Sequence, residues 1–198
     1  MLLAIDSATA ACSAALIDGD TLVDERYELV GRGHAERLLP MIEELLAGRR
    51  PTAILVDCGP GSFTGVRVGL AAAHGLAIGW GIPVAGYSSM AVVAAASGAE
   101  AVALHGGHGQ IFVQNFCHDP LRALDELQSL LPEEAAAATG AARVAGSGAE
   151  ALVAARGSGE ALDLLPRASD ARLLPDALRT LPARPIYGRG PDAKPMAS

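Results

Sequence analysis

The run Gly59-Pro60-Gly61-Ser62-Phe63-Thr64-Gly65-Val66-Arg67-Val68-Gly69 restricts the fold more than any other part of the chain. It follows a short apolar stretch at 53–56 and opens a long one at 64–80. That makes it a turn from a buried strand into a helix, the unit from which α/β domains are assembled. Its glycines and hydroxyls admit two readings. Glycine lets the backbone come close to a ligand, and the N–H groups at the helix start near Thr64 form a site for an anion such as phosphate. A strand-to-helix turn also needs glycine for its dihedral angles and Ser or Thr as an N-cap, whether or not anything binds. The run lacks the Gly-Lys-Ser/Thr ending of a Walker A loop, and Ser62 does not sit in a Gly-x-Ser-x-Gly elbow. Asp6-Ser7-Ala8-Thr9, after the first apolar run, either orients a metal-bound phosphate or forms an ordinary Asx turn. The candidate nucleotide or anion residues are therefore Asp6, Thr9, Gly59, Gly61, Ser62, Thr64 and Gly65.

The helix that follows carries Gly65, Gly69, Ala73 and Ala77 on one i+4 row and Ala71, Gly75 and Gly79 on another. Each interior glycine costs ~1 kcal/mol of helix propensity relative to alanine. Close packing must offset that cost, either inside the fold or against a second chain.

Elsewhere the pattern is strand-rich at first. Residues 2–5 form a short apolar strand, and 12–18 with 21–29 read as a hairpin across Asp18-Gly19-Asp20. From 34 to 47, Leu38, Met41, Ile42, Leu45 and Leu46 fall at amphipathic-helix spacing, with Pro40 expected to kink the early part. With the strand at 53–56 and the helix at 64–80 this gives a β-β-β-α-β-α opening, followed by a strand at 83–85 and a serine-capped helix at 89–96. Residues 101–104 and 111–116 form another strand pair around a His/Gly-rich turn. The Ala/Leu-rich segments 121–138 and 149–180 read as helical, apart from a loop at Gly157-Ser158-Gly159, and 184–195 is a Pro/Gly-rich tail.

Several function classes fall away on composition. The 198 residues carry 15 Lys+Arg against 22 Asp+Glu, a net charge of −7. The global field therefore opposes independent binding of nucleic acid. Only 4% of residues are aromatic while 23 are glycine, so the core is built from small side chains. Cys12, Cys58 and Cys117 have no C-x-x-C spacing and suit reduced thiols in the cytoplasm, the first two in the core. Asp6 interrupts the N-terminal apolar run too early for a signal peptide. Residues 68–96 are long enough to span a bilayer, but Gly81-Ile82-Pro83 and Gly86-Tyr87-Ser88-Ser89 divide them, so no membrane span is expected. Metal-binding patterns are incomplete: His34 has Leu38 at its i+4 position, and His105-x-x-His108 is equally a mobile turn.

Taken together, Met1-Leu2-Leu3-Ala4-Ile5-Asp6-Ser7-Ala8-Thr9 with Cys12-Ser13, His34-Ala35-Glu36-Arg37-Leu38-Leu39-Pro40, the run 59–70 and Pro191-Asp192-Ala193-Lys194-Pro195 resemble the TsaB (YeaZ-like) family of bacterial tRNA threonylcarbamoyladenosine synthesis. The resemblance is strong over 1–97, looser over 98–183, and returns at the tail. It implies an α/β actin-like ATPase fold of the sugar kinase and actin superfamily, in two βββαβα-type halves: 1–100, partner-binding, and 101–198, reduced and ending in an irregular tail. It implies a cytoplasmic, non-catalytic subunit that dimerises with the catalytic paralogue TsaD and recruits the ATPase TsaE. The complex places threonylcarbamoyl on N6 of adenosine 37 in ANN-decoding tRNAs. TsaD holds its metal through a His-x-x-x-His helix; Leu38 replaces the second histidine here, and a hydrocarbon cannot ligate. The helices at 34–47 and 64–80 would form the face shared by homodimer and heterodimer, with His34, Glu36, Leu38, Leu39, Ile42, Arg67, Gly69, Ala72, Ala73 and His74 at the interface. No cofactor is required by this chain, with ATP or ADP at most at the complex interface, and tRNA is met only through the partners. The alternatives are an autonomous actin-fold ATPase or kinase using Asp6, Thr9 and the 59–65 loop, and an M22-type metallopeptidase.

Two departures stand out. Where the family commonly reads Asp-Ala-Arg-x-Gly, this chain has His105-Gly106-Gly107-His108-Gly109. Gly188 stands where a bulky apolar residue is usual, and the chain is somewhat short.

Overall fold

The computed structural model describes residues 1–188. Strands β1 (Leu2–Asp6), β2 (Ala11–Asp18) and β3 (Thr21–Leu29) form an antiparallel meander, followed by α1 (His34–Leu46), β4 (Ala53–Asp57), α2 (Phe63–Trp80) and β5 (Val84–Tyr87). β4 runs parallel to β1 and β5 parallel to β4, giving the sheet order β3-β2-β1-β4-β5. Helix α3 (Ser89–Ser97) leads into a second sheet of β6 (Ala101–Gly107), β7 (Gln110–His118), β8 (Leu121–Ala123), β9 (Gln128–Leu130), β10 (Arg143–Ala145) and β11 (Glu160–Leu162). Helices α4 (Pro132–Ala138) and α5 (Ala149–Arg156) lie between its later strands. The second order, β11-β10-β6-β7-β8 with β9 also on β7, repeats the first: meander, helix, parallel strand, helix, parallel strand. This is the α/β actin-like architecture in two halves. The second is reduced, with helices of 7 and 8 residues against 13 and 18.

Side chains alternate faces along each strand, and the first sheet uses both. Leu3, Ile5, Cys12, Ala14, Leu16, Ile54 and Val56 pack under α1 and α2. Ala4, Ala15, Ile17 and Leu55 face α3 and the second half, meeting Val102, Leu104, Phe112 and Phe116. The outer face of the second sheet packs Ala101, Ala103, Ile111 and Val113 against α4 and α5. Helix α1 runs unbroken across Pro40, which lies on its exposed side, so helix assignment survives the proline that sequence reading expected to kink it.

The expectation of helix over 121–138 and 149–180 fails in most of its length. Asp125 accepts hydrogen bonds from the backbone N–H and side-chain amide of Asn115, at 2.8 and 2.5 Å, which holds 121–130 against β7 as two short strands. After α5 the chain turns into β11, then two short 3₁₀ segments at Ala168–Leu173 and Asp176–Leu178. Tertiary pairing overrides the helix propensity of Ala and Leu. The 3₁₀ segment returns to the first half: Ala168 N–H donates to Ser13 Oγ, and the Arg167 guanidinium lies over the Tyr27 ring and bonds Glu25 at 2.6 Å. Leu181 then bridges Gly86 on the β5 edge, and Ile186 N–H donates to the Cys58 carbonyl. No helix among the described residues is long and apolar enough to cross a membrane.

The two rows of small residues on α2 separate cleanly. Gly65, Gly69, Ala73 and Ala77 are buried in the chain's own core. Ala71, Gly75 and Gly79 are exposed, and a Cβ at Gly75 or Gly79 would meet nothing. A Cβ at Gly65 would collide with the Ser7 carbonyl oxygen, and one at Gly69 would lie 2.6 Å from Ser7 Oγ. Gly65→Ala should therefore destabilise the fold by about 2–3 kcal/mol, while Gly75→Ala should stabilise it by about 0.5–1 kcal/mol. Urea unfolding of the two variants side by side tests the assignment of the rows; equal effects would contradict it.

Candidate functional site

The 59–65 loop meets the turn between β1 and β2 backbone to backbone. Ser62 N–H donates to the Ala8 carbonyl at 2.6 Å, and a Cβ at Gly61 would fall on that same oxygen. Ser7 Oγ donates to the Gly65 carbonyl at 2.9 Å. Ser62 is the N-cap of α2, its hydroxyl accepting from Gly65 N–H, and Gly59 N–H donates to Asp57. The N–H groups of Gly59, Ser62 and Gly65 thus meet acceptors of the chain itself. Gly61 and Gly65 serve close packing against the β1–β2 turn, which supports the packing side of the two readings of 59–65. Of the anion candidates, Thr9, Gly61 and Ser62 border an open cleft. Asp6, Gly59 and Gly65 are buried behind it, and Thr64 is exposed away from it.

Asp6 and Asp57 end the adjacent parallel strands β1 and β4, and both are buried. Asp6 Oδ1 accepts from Ala8 N–H at 3.0 Å. Its Oδ2 has no donor among the described residues, because it faces the Asp57 carboxyl group. Asp57 in turn accepts from Gly59 N–H at 2.7 Å and from the Ser89 hydroxyl at 2.6 and 2.8 Å. Burial, and then the neighbouring Asp57 charge, drive the Asp6 carboxyl far above its usual range. Burial raises Asp57 to about 6, held back by the hydrogen bonds from Ser89 and Gly59. Two desolvated carboxyls in contact share a proton, so Asp6 serves as an internal donor and is closed to a bound phosphate. Sequence reading missed Asp57 and Ser89; the signal was an acid ending an apolar strand beside the strand that ends in Asp6.

The cleft, of about 1160 Å³, lies between the halves. One wall is Ala8–Ala10, Gly61 and Ser62; the other is the β6–β7 turn with His105 and His108. At its mouth the Arg67 guanidinium sits 3.3 Å from the Phe63 ring centroid and donates to Tyr187 Oη at 3.1 Å. Among the described residues no group of three or more His, Cys, Asp and Glu side chains is placed to hold a metal. Cys12 and Cys58 are buried as expected, and burial pushes both thiols up to about 11, leaving them unreactive.

Of the candidate interface residues, the core takes five. Leu38, Ile42, Gly69 and Ala73 are buried under the first sheet's helical layer. His34 is buried as well, its Nε2–H donating to the Thr9 carbonyl at 2.8 Å, which ties the start of α1 to the β1–β2 turn. These five face inward because they lie on the apolar sides of α1 and α2, which pack on the sheet. Glu36, Leu39, Arg67 and His74 are exposed and Ala72 is half-buried. Pro191–Pro195 lies outside the described residues.

The carboxyl pair has a consequence for pH. Folding raises both pKa values, so the folded chain holds more protons than the unfolded one, and stability falls as pH rises through about 6. The wild type should lose stability as pH rises from the usual carboxylate range through about 6 on account of Asp57, and further above that on account of Asp6. Asp57→Asn should flatten the slope below about pH 6 and keep the part above it, because burial is the larger cause of the Asp6 shift. Urea unfolding at each pH measures it; parallel slopes would refute the shared proton.

A family model described as TsaD: tRNA N6-adenosine threonylcarbamoyltransferase matches residues 27–163. Escherichia coli (strain K12) TsaB, a tRNA threonylcarbamoyladenosine biosynthesis protein, is 45% identical over 98 residues, covering 47% of this chain and 42% of that protein. An uncharacterized protein of Mycobacterium tuberculosis (strain H37Rv) is 32% identical over 212 residues, 99% of this chain and 95% of its own length. The solved structure of YeaZ from Pseudomonas aeruginosa superposes with a TM-score of 0.75 at 31% identity, covering 94% of this chain and 98% of that one. A second Pseudomonas aeruginosa structure, described as similar to peptidase YEAZ, gives 0.78 at 32% identity, covering 95% and 99%. A family match over more than half the chain, together with these near full-length likenesses, shows that the chain belongs to the TsaD family, as a TsaB/YeaZ-like member.

Proposed function

We propose that this chain acts in tRNA threonylcarbamoyladenosine biosynthesis as a non-catalytic scaffold and activator subunit. In this reading it pairs with a TsaD-like transferase and a TsaE-like ATPase and meets tRNA only through them. The observation that carries the reading is α1. Where the catalytic relatives, on the resemblance stated above, present a second metal-binding histidine, Leu38 is fully buried in the core, and His34 is committed to the Thr9 carbonyl. Neither side chain is available as a ligand. The net charge of −7 supports leaving the tRNA phosphates to partners. The docking face is the outer side of the same helical layer: Ala71, Gly75 and Gly79 of α2 beside Ile78, which is 83% exposed, and Leu39 of α1, 50% exposed. A helix can approach such a surface closely because no side chain stands in the way.

Reconstitution tests the role. The purified chain alone should produce no threonylcarbamoyladenosine, and adding it to a TsaD-like subunit, a TsaE-like ATPase and the threonylcarbamoyl-adenylate synthase should restore the modified nucleoside, read by mass spectrometry of digested tRNA. Transfer or sustained ATP turnover by the isolated chain would overturn the reading. Ile78→Asp should weaken association with the TsaD-like subunit at least tenfold in a titration. Its unfolding free energy should stay within about 0.5 kcal/mol of wild type. Undiminished association would move the docking face elsewhere.

A further inference from the structure

The cleft between the halves has a chemistry the proposed scaffold role does not use. The chain carries seven more acidic than basic side chains, yet no Asp or Glu lines the cleft among the described residues. What lines it instead is Arg67, His105 and His108, with the hydroxyls of Thr9, Ser62, Ser147 and Tyr187, the last accepting from Arg67.

Three of the four hydroxyls are oriented by the backbone. Thr9 Oγ1 accepts from Ala11 N–H, Ser62 Oγ from Gly65 N–H and Ser147 Oγ from His105 N–H, at 3.4, 3.2 and 3.1 Å. With lone pairs so engaged, each hydroxyl has its O–H left to donate into the cleft. Arginine is donor-only and permanently cationic, and imidazole offers an N–H. The polar lining therefore converges on acceptors and on negative charge. The remaining walls are hydrocarbon and aromatic, chiefly Val66, Leu104, Phe112, Leu165 and Ile186. The second lip is shaped for its place: Gly107, His108 and Gly109 all have positive φ, at 77°, 53° and 76°, which folds the β6–β7 turn back and sets His108 on the rim.

Equally informative is what the cleft excludes. A phosphate bridged through a divalent cation needs a carboxylate facing the ligand. The carboxyls nearest its floor, Asp6 and Asp57, are buried to within 2% and face one another behind the Ala8–Gly61 contact. We infer that this cleft is a binding site for an organic anion with an apolar body, held directly by Arg67, the two imidazoles and the hydroxyls, without a metal ion. Anionic head and apolar body are both required: the charged rim fixes the head, and burial of the body against Phe112 and Leu104 supplies most of the affinity.

The fluorescent probe 1-anilinonaphthalene-8-sulfonate has this chemistry and can be titrated into the full-length chain. Expected is one saturable site, emptied by competition with octanoate or with magnesium-free ADP; the two competitors distinguish an aliphatic carboxylate from an aromatic phosphate. Inorganic phosphate, which lacks the body, should not compete at equal concentration. The double variant His105→Gln/His108→Asn, with asparagine chosen because it tolerates positive φ, should weaken binding at least tenfold. Ala10→Trp, which fills the cleft from an exposed rim position, should abolish it. Circular dichroism and the urea midpoint confirm that both variants fold. Three results would overturn the inference: unchanged affinity in either folded variant, displacement by inorganic phosphate, or displacement by ADP only when magnesium is present.

Discussion

Everything about the site follows from how closely two backbones approach. The first turns of α2 rest on the β1–β2 turn with no side chain between them. Gly61 lies against the Ala8 carbonyl, Gly65 against the Ser7 carbonyl and Gly69 against Ser7 Oγ. One row of a helix, at a spacing of four, thus fits over a single turn of the neighbouring strand connection. The Ser62 N–H to Ala8 carbonyl and Ser7 hydroxyl to Gly65 carbonyl bonds close the contact from both sides. Buried polar backbone must be paired, and here the Ala8 and Gly65 carbonyls are each paired by a donor from the other segment.

That contact decides what lies in front of it and what lies behind. Behind it, Asp6 and Asp57 are sealed from solvent, and two carboxyls side by side in a dry place retain a proton between them. In front of it, the cleft is lined by Ala8, Thr9, Ala10, Gly61 and Ser62, with no carboxylate among them. The strand ends of an α/β sheet are ordinarily where ligands gather, and the acids that this position would supply are turned inward here. The floor of the cleft is consequently neutral, and the basic groups on its rim, which come from α2 and from the β6–β7 turn, set its charge.

How much of this could be read from the sequence depended on whether the information was local. The β1 to α3 succession was legible because every element carries its own period and its own punctuation: Asp18-Gly19-Asp20 for the hairpin, Leu38 to Leu46 for α1, Ser88 and Gly98 flanking α3. The segments 121–130 and 157–180 were not, since their Ala and Leu content states a helical preference that pairing to β7 and docking on Ser13 override. The site was half legible. Glycine at 59, 61 and 65 announced a close approach, but glycine has the same signature whether what approaches is a ligand or the chain's own carbonyl. Asp57 and Ser89 escaped because a pair across two parallel strands and a helix N-terminus has no fixed spacing in sequence. Leu38 and Ile42 were placed on a partner face through the family resemblance, although their own helical period already pointed them into the core.

Helix α2 shows why periodicity alone cannot assign a small-residue row. Gly69 and Ala71 are two positions apart, about 200° around the helix, so the two rows lie on nearly opposite sides. The inner row offsets its loss of helix propensity through the contact with Ser7. A Cβ at Gly75 or Gly79 of the outer one would have no neighbour within 4 Å among the described residues, and each glycine carries a penalty of roughly 1 kcal/mol that no contact described there offsets. Sequences that fold well keep such local conflicts few, and those that persist tend to mark function. An alanine at either outer position would fit the helix better and meet no obstruction in the isolated chain. A missing Cβ there leaves room for the close approach of another backbone, which is why the proposed docking face is the outer side of α2 rather than the apolar side of α1, whose residues the core already takes.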